Sequence, residues 1–228
     1  MEIHADRPAQ DKHIILIRHA ESTNNVAKST LKRMLHFERR PRGDEWWQLA
    51  SLLSFPMDTP LSAAGEAMLR EQRAALDAQD FLSTHRIELV LHSPLQRARE
   101  TAVGLFGGGS VPLVEDPGIY EKDLAEHAGL RSLEQRTRSF SASLLARPEK
   151  RVVVVGHSAH FRALFAEGDG FDKSSLLHGL LNVSVWSATL SAAEANWSDL
   201  KLLVPGWPRP VVEAAQEAML RGSALVTS

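Results

Sequence analysis

The sequence predicts an α/β fold, a three-layer sandwich whose central, mostly parallel sheet is flanked by helices. Three observations carry this expectation. Ile14-Ile15-Leu16-Ile17 and Val152-Val153-Val154-Val155 are unbroken branched apolar runs, too short for an ordinary helix, as strands buried on both faces read. Stretches of helical spacing separate these runs from a third candidate strand, Ile87 to His92. Finally, each run ends on polar residues, Arg18-His19, His92-Ser93 and His157-Ser158, at the strand ends where open α/β sheets take their ligands.

The remaining elements follow in chain order. After Arg18-His19-Ala20-Glu21-Ser22-Thr23-Asn24-Asn25, the spacing of Leu31, Met34 and Leu35 predicts a short amphipathic helix that Pro41 and Gly43 end. Asp44-Glu45 then introduce a second apolar helix, Trp46 to Leu53. We read residues 26–57 as an inserted cap whose basic charge would steer anionic substrates. Ser62 is an N-cap for a helix running to about Gln79, with Glu66 in its first turn and Met68, Leu69 and Leu76 on its buried side.

Pro94 suits the first turn of the helix after the Ile87–His92 strand, which places Arg97 in its opening turn, and Gly107-Gly108-Gly109 ends that helix. Val111 to Glu115 reads as an edge strand, because Pro112 cannot donate to a central ladder. Asp116-Pro117-Gly118 is a turn, Ile119 to Gly129 an acidic loop, and Leu130 to Ala146 a helix. A helix from His160 to Ala166 follows the valine strand. Val183 to Leu190 alternates like a strand and pairs with Leu200 to Val204 as a late hairpin, ahead of a C-terminal helix from about Val211 to Leu220.

Composition narrows the function classes. The 228 residues suit one sizeable domain, 1–228, and 43% hydrophobic with 24% charged residues are ordinary globular values. A formal net charge of −2 predicts no general nucleic-acid affinity. The absence of cysteine removes disulfides, thiolate nucleophiles and cysteine metal sites, and fits a cytoplasmic protein. Met1 to Lys12 has no apolar core of a signal peptide, and no uncharged apolar run approaches the roughly 20 residues that span a bilayer, so no membrane association is expected. No feature of the sequence sets an oligomeric state.

The chemistry-bearing residues fall into separated motifs: Arg18-His19 with Ser22 and Asn25, then His92-Ser93-Pro94-Leu95-Gln96-Arg97, then Gly156-His157-Ser158. Together they resemble the histidine phosphatase superfamily, also called the phosphoglycerate mutase-like family, whose opening signature is Arg-His-Gly followed by a Ser/Thr and an Asn. The resemblance runs from about Ile14 to Phe165, and Asp58-Thr59-Pro60-Leu61-Ser62 matches the family's Asp-x-Pro-Leu-Ser/Thr element.

It implies that His19 attacks phosphorus and becomes phosphohistidine, a covalent step that divides the reaction in two. Arg18 and Arg97 have planar forks suited to bidentate phosphate contact. By the same resemblance His157, Ser22, Asn25 and the backbone N–H of Ser158 add donors to the phosphate. Ile119-Tyr120-Glu121 matches the family's Leu-x-Glu-like element, which makes Glu121 the general acid; Asp123 and Glu126 lie close enough to compete. His157 and His160 form a possible metal pair without a compelling third ligand, so neither metal nor other cofactor is expected, and His160, His92, His127 and Arg99 are assigned structural or peripheral places.

Two departures from the family pattern bear on activity. Ala20 stands where the signature has glycine, a source of strain if that position needs positive φ. Around Glu121 the sequence continues Lys122-Asp123-Leu124 rather than the Glu-Arg-His-Tyr-Gly of true mutases, which favours hydrolysis of a phosphomonoester, either a small molecule or a phosphoprotein. Two other readings stay open: a phosphoglycerate mutase-like phosphotransferase, and a non-catalytic phospholigand-binding or scaffolding protein with Trp46-Trp47 as a partner patch.

Overall fold

The computed structural model describes residues 10–25, 58–166 and 180–207. The expected cap at 26–57 and the C-terminal helix at 211–220 lie outside these residues. Six strands form one mixed sheet: β1 (Lys12–Arg18), β2 (Leu89–His92), β3 (Leu113–Glu115), β4 (Arg151–Gly156), β5 (Val185–Leu190) and β6 (Trp197–Val204), in the spatial order β3-β2-β4-β1-β5-β6. The first four run parallel to one another, and β5, antiparallel to β1, closes the other side with β6 as the antiparallel hairpin that alternation suggested.

Alternation along β1 builds the two cores. Ile14 and Leu16 join Phe140 and Leu144 of α5 (Leu133–Ala146) and Phe161 and Leu164 of α6 (Ser158–Leu164) on one face. Ile15 and Ile17 join Met68, Leu69 and Leu76 of α1 (Ala63–Asp77) and Ala102, Leu105 and Phe106 of α3 (Gln96–Phe106) on the other. The result is helix, sheet, helix. Ile14 to Ile17 are all 0% exposed, so each contributes on the order of 1.5–3 kcal/mol of burial. Two four-residue helices, α2 (Phe81–Thr84) and α4 (Leu124–His127), and a 3₁₀ turn, Pro117–Ile119, complete the described elements, none of whose helices is long and apolar enough to cross a membrane.

Boundaries moved where a side chain took over backbone hydrogen bonds. β2 begins at Leu89 rather than Ile87, because the Glu88 carboxylate accepts the amide N–H groups of Lys150 and Arg151 at the mouth of β4. Helix α5 begins at Leu133 rather than Leu130, because the Ser132 hydroxyl accepts from the Gln135 N–H and caps it there. Pro94 sits ahead of the Leu95 N-cap, not inside the first turn of α3, and it is Asp58 that accepts from the first helical amide, Gln96. Helix α6 opens on Ser158, with His157 itself as the extended N-cap, earlier than the expected His160.

Register then positions the site. Arg18 pairs with Gly156 across β1 and β4, so the next residues, His19 and His157, leave neighbouring strands side by side. His92 pairs with Val155 across β2 and β4, which brings Ser93 to the same edge. Gly156 is required there, because a Cβ would lie 2.7 Å from Ile119 Cγ2 and 3.0 Å from the Phe161 ring. The Asp58–Ser62 element lies along the segment after His19: the Ser62 N–H donates to Glu21 O and the Thr23 N–H to Pro60 O. Gly65 permits this approach, since a Cβ would fall 2.0 Å from the Glu21 carbonyl oxygen.

Candidate active site

His19 is 2% exposed, and its ring hydrogen bonds define its tautomer. Nδ1 lies 2.6 Å from the Ala20 carbonyl oxygen, which can only accept, so Nδ1 carries the proton. Nε2 is left with its lone pair, and the Arg97 Nε–H donates to it at 3.3 Å. The loop under the ring is held by two further bonds: the Thr101 hydroxyl accepts from the Ala20 N–H at 3.0 Å, and the Asn182 amide donates to His19 O at 2.8 Å. Thr101 stands one helical turn beyond Arg97 and its hydroxyl also donates to Arg97 O, so α3 steers both the arginine and the backbone beside the histidine.

His157 is fully buried, its ring centroid 5.1 Å from that of His19. Its Nε2 is 2.9 Å from Ser93 Oγ, whereas Nδ1 has no hydrogen-bond partner among the described residues and faces Glu121 Oε2 at 3.7 Å. Burial, then the neighbouring His19, Arg97, His160 and Arg18, hold the His157 pKa well below the usual imidazole range. His157 would add a donor to a bound phosphate if protonated, and burial with these neighbours disfavours that form.

Arg18 donates through Nη1 to Leu180 O at 2.7 Å, while its Nε is buried without a partner among the described residues. Burial lowers the pKa of both Arg18 and Arg97, and the Glu121 carboxylate is the leading influence raising each. Two guanidinium groups thus share a low-dielectric pocket in which Glu121 acts on both and Asp58 on Arg97 as well, and the remaining positive field favours an entering anion.

The three rival carboxylates separate cleanly. Asp123 pairs with Arg131, and Glu126 takes a two-point contact from Arg136 at 2.8 and 2.9 Å. Glu121 alone among them stands beside His157, its side chain 27% exposed and its Oε1 accepting only the Lys122 N–H. Ser22 and Asn25 face each other: Asn25 Oδ1 accepts from the Ser22 hydroxyl at 2.8 Å and from the Ser22 N–H at 3.1 Å. This pair caps the turn that begins at 23. Ser158 is partly buried at the first helical position of α6, directly after His157.

His160 does not join the set. Its ring packs edge-on to Phe140 and Phe161, Arg136 Nη1 lies 3.4 Å from its Nδ1, and burial pushes its pKa down to about 3. His92 Nδ1 turns away to the Ser93 carbonyl oxygen. The grouping with metal-ligand spacing is instead His19, Glu121 and His157, whose ligand atoms lie within 4.8 Å of one another.

Sequence reasoning missed Ser93, Thr101, Asn182 and Arg136. Thr101 carried a usable signal in its spacing from Arg97. Asn182 carried none, since it reaches His19 across 163 positions of chain.

Ala20 is fully buried and is not among the residues with positive φ, so its methyl adds no backbone strain. The family model of the histidine phosphatase superfamily, branch 1, matches residues 43–138, a span that contains Arg97 and Glu121. Over that span, which is less than half of the chain, the sequence is similar to the histidine phosphatase superfamily. Arg18-His19 and His157 lie outside the matched span, and the register of β1 with β4 brings them to Arg97 and Glu121.

Among curated proteins the chain is similar to an uncharacterised phosphatase of Bacillus subtilis, PhoE, with 25% identity over 177 residues, 68% of this chain and 87% of that one. Its fold is shared with solved structures. Mycobacterial hydrolase 2 superposes with a TM-score of 0.57 at 19% identity, covering 92% of this chain and 98% of that one. A mycobacterial glucosyl-3-phosphoglycerate phosphatase in complex with VO3 superposes with a TM-score of 0.54 at 18% identity, covering 86% of this chain and all of the other, 100%.

Proposed function

We propose that the protein hydrolyses phosphomonoesters through a phosphohistidine at His19, without a metal ion. The observation that carries this reading is the His19 ring itself: Nδ1 committed to a carbonyl, Nε2 presenting its lone pair to Arg97. In the resting pocket that lone pair rests on the Arg97 Nε–H. An entering phosphate draws the guanidinium onto its own oxygens, which releases Nε2 for attack and leaves Arg18 and Arg97 on the nonbridging oxygens where charge develops.

The steps then balance. Nε2 forms the P–N bond as the ester P–O bond breaks, and the Glu121 carboxyl passes its proton to the departing alkoxide. Water enters, Glu121 takes its proton, the new P–O bond forms and the P–N bond breaks, which regenerates His19. Burial and then its neighbours disfavour the charged form of His157; a phosphate dianion beside it offsets the neighbours' part, so substrate binding favours the protonated ring and a further donor. Ser22, Asn25 and the Ser158 N–H are assigned to the phosphate periphery.

The absence of strain at Ala20 favours turnover over a purely phospholigand-binding role. Substrates are small phosphomonoesters or phosphoproteins. The His19, Glu121 and His157 set has the ligand types for a divalent cation, yet the buried charges of Arg18 and Arg97 oppose one there.

Phosphate release from p-nitrophenyl phosphate in EDTA at pH 5 to 8 tests both halves of the reading. Turnover that survives the chelator and disappears in His19→Ala is the expected result. Loss of activity in EDTA with recovery on added zinc would reassign the trio as a metal centre, and full activity in His19→Ala would end the phosphohistidine reading.

A further inference from the structure

Glu121 makes few side-chain contacts of its own, so its place is inherited from its backbone. One residue holds that backbone. Arg136, on α5, donates through Nη1 to Gly118 O at 3.0 Å and to Tyr120 O at 2.7 Å, and through Nη2 to Glu121 O at 3.5 Å. The same guanidinium donates to both Glu126 oxygens and reaches His160 Nδ1, on the helix that begins directly after His157. From the other side, Ile119 is wedged, fully buried, against Gly156 at the end of β4.

We propose that Arg136 is a positioning residue for the general acid: its fork, aimed by Glu126, clamps the 118–121 carbonyls and thereby sets the Glu121 carboxylate beside His157 and His19. The inference rests on the reading of Glu121 as the acid. Arg136 meets the Glu121 carbonyl rather than its carboxylate, so it acts through geometry, and it touches neither His19 nor Arg97 in the described contacts. Lysine cannot replace it, because a single ammonium cannot grip two carboxylate oxygens and three carbonyls from one plane. Arg136 carries five N–H donors, and the Glu126 contact uses the Nε edge and leaves Nη1 for the loop.

A misplaced acid has a signature that general damage lacks. Esters with good leaving groups depart without a proton, whereas alkyl esters need one, so loss of the acid steepens the dependence of rate on leaving group. The test measures the phosphorylation step of Arg136→Lys, Arg136→Gln and Glu121→Gln on p-nitrophenyl phosphate, phenyl phosphate and an alkyl phosphate. Each variant is first checked for a native melting transition. The Arg136 variants should lose about 10²-fold on the alkyl ester and about 3-fold or less on p-nitrophenyl phosphate, in parallel with Glu121→Gln. In the Glu121→Gln background, Arg136→Lys should cost nothing further on any ester.

An equal loss on all three esters, or full additivity with Glu121→Gln, would overturn the positioning role. If Glu121→Gln itself shows no leaving-group dependence, the fault lies in the acid assignment. If Glu121→Gln is steep and Arg136→Lys is flat, only the Arg136 inference fails. Should neither Arg136 variant fold, Glu126→Gln reads the same slope at smaller amplitude, because it loosens the fork without removing it, and a flat profile there counts against the proposal.

Discussion

Glu121 and Glu126 leave the same segment between β3 and α5, yet they meet opposite surroundings. The Glu126 side chain is 3% exposed, both oxygens taken by Arg136 and one of them by the Asp123 N–H as well. The Glu121 side chain is 27% exposed and stands near His157 Nδ1, which has no hydrogen-bond partner among the described residues. A saturated network fixes a geometry and has no capacity left for chemistry, while an unsaturated one keeps capacity that a substrate can use. The candidate site joins the two kinds, with open groups on a scaffold of closed ones.

Exchanging the two charges for amides separates these roles. Glu121→Gln should cut turnover of an alkyl phosphate about 10²- to 10³-fold and change unfolding free energy by about 0.5 kcal/mol or less. Glu126→Gln breaks a largely buried ion pair on one side and should cost about 3 kcal/mol in urea unfolding. Equal stability losses in the two variants would erase the contrast.

Acid sharpens it by a second route. Glu126 is held below the usual carboxylate range, first by the Arg136 hydrogen bond, so its stabilisation is complete above the unfolded value of about 4.3 and is lost as pH falls through the folded one. His157 and His160 work at higher pH. Both are buried and neutral when folded, the latter pushed down to about 3, while the unfolded chain takes up their protons near pH 6.5. The unfolded state therefore binds more protons below that pH, and stability should fall by about 1.4 kcal/mol per pH unit per histidine. Urea midpoints at pH 7, 6, 5 and 4 read both effects. Glu126→Gln should keep the loss between pH 7 and 5 and make the decline below about 4.5 less steep, since His160 still contributes there down to about pH 3. A wild-type protein equally stable at pH 7 and 5 would mean that the folded histidines are charged.

Much of the fold was legible because it depends on local pattern. β1 and β4 are continuous apolar runs buried on both faces, and Pro112 marked the edge that β3 occupies. The helix starts were less legible where a cap competed with spacing: Ser132, with Gln135 following, stops α5 short of Leu130. The motifs Arg18-His19, Arg97, Glu121 and His157 were readable as a set, and strand register explains why they meet. Their supports were not readable. Ser93, Asn182 and Arg136 act through contacts between segments far apart in the chain, and nothing about a lone serine, asparagine or arginine announces such a partner. The protonation state of His157 was equally hidden, because it follows from burial and from four neighbours on other strands and helices as well as its own.

The smallest effect concerns Ala20, which follows His19, the proposed nucleophile, but belongs to the closed scaffold. Its methyl packs in the cluster that includes Met68, Leu69, Ile15 and Ile17, and its N–H is held by buried Thr101. Since its backbone does not adopt positive φ, Ala20→Gly, which restores the family signature, relieves nothing. It removes a buried methyl and widens the unfolded ensemble, so the expected outcome is a loss of about 1 to 2 kcal/mol in unfolding free energy. Turnover of p-nitrophenyl phosphate should stay within about twofold, because the Ala20 carbonyl that fixes the His19 tautomer is present in either residue. A large gain in turnover would instead show that the methyl restrains the ring, and would move Ala20 from the scaffold into the machinery.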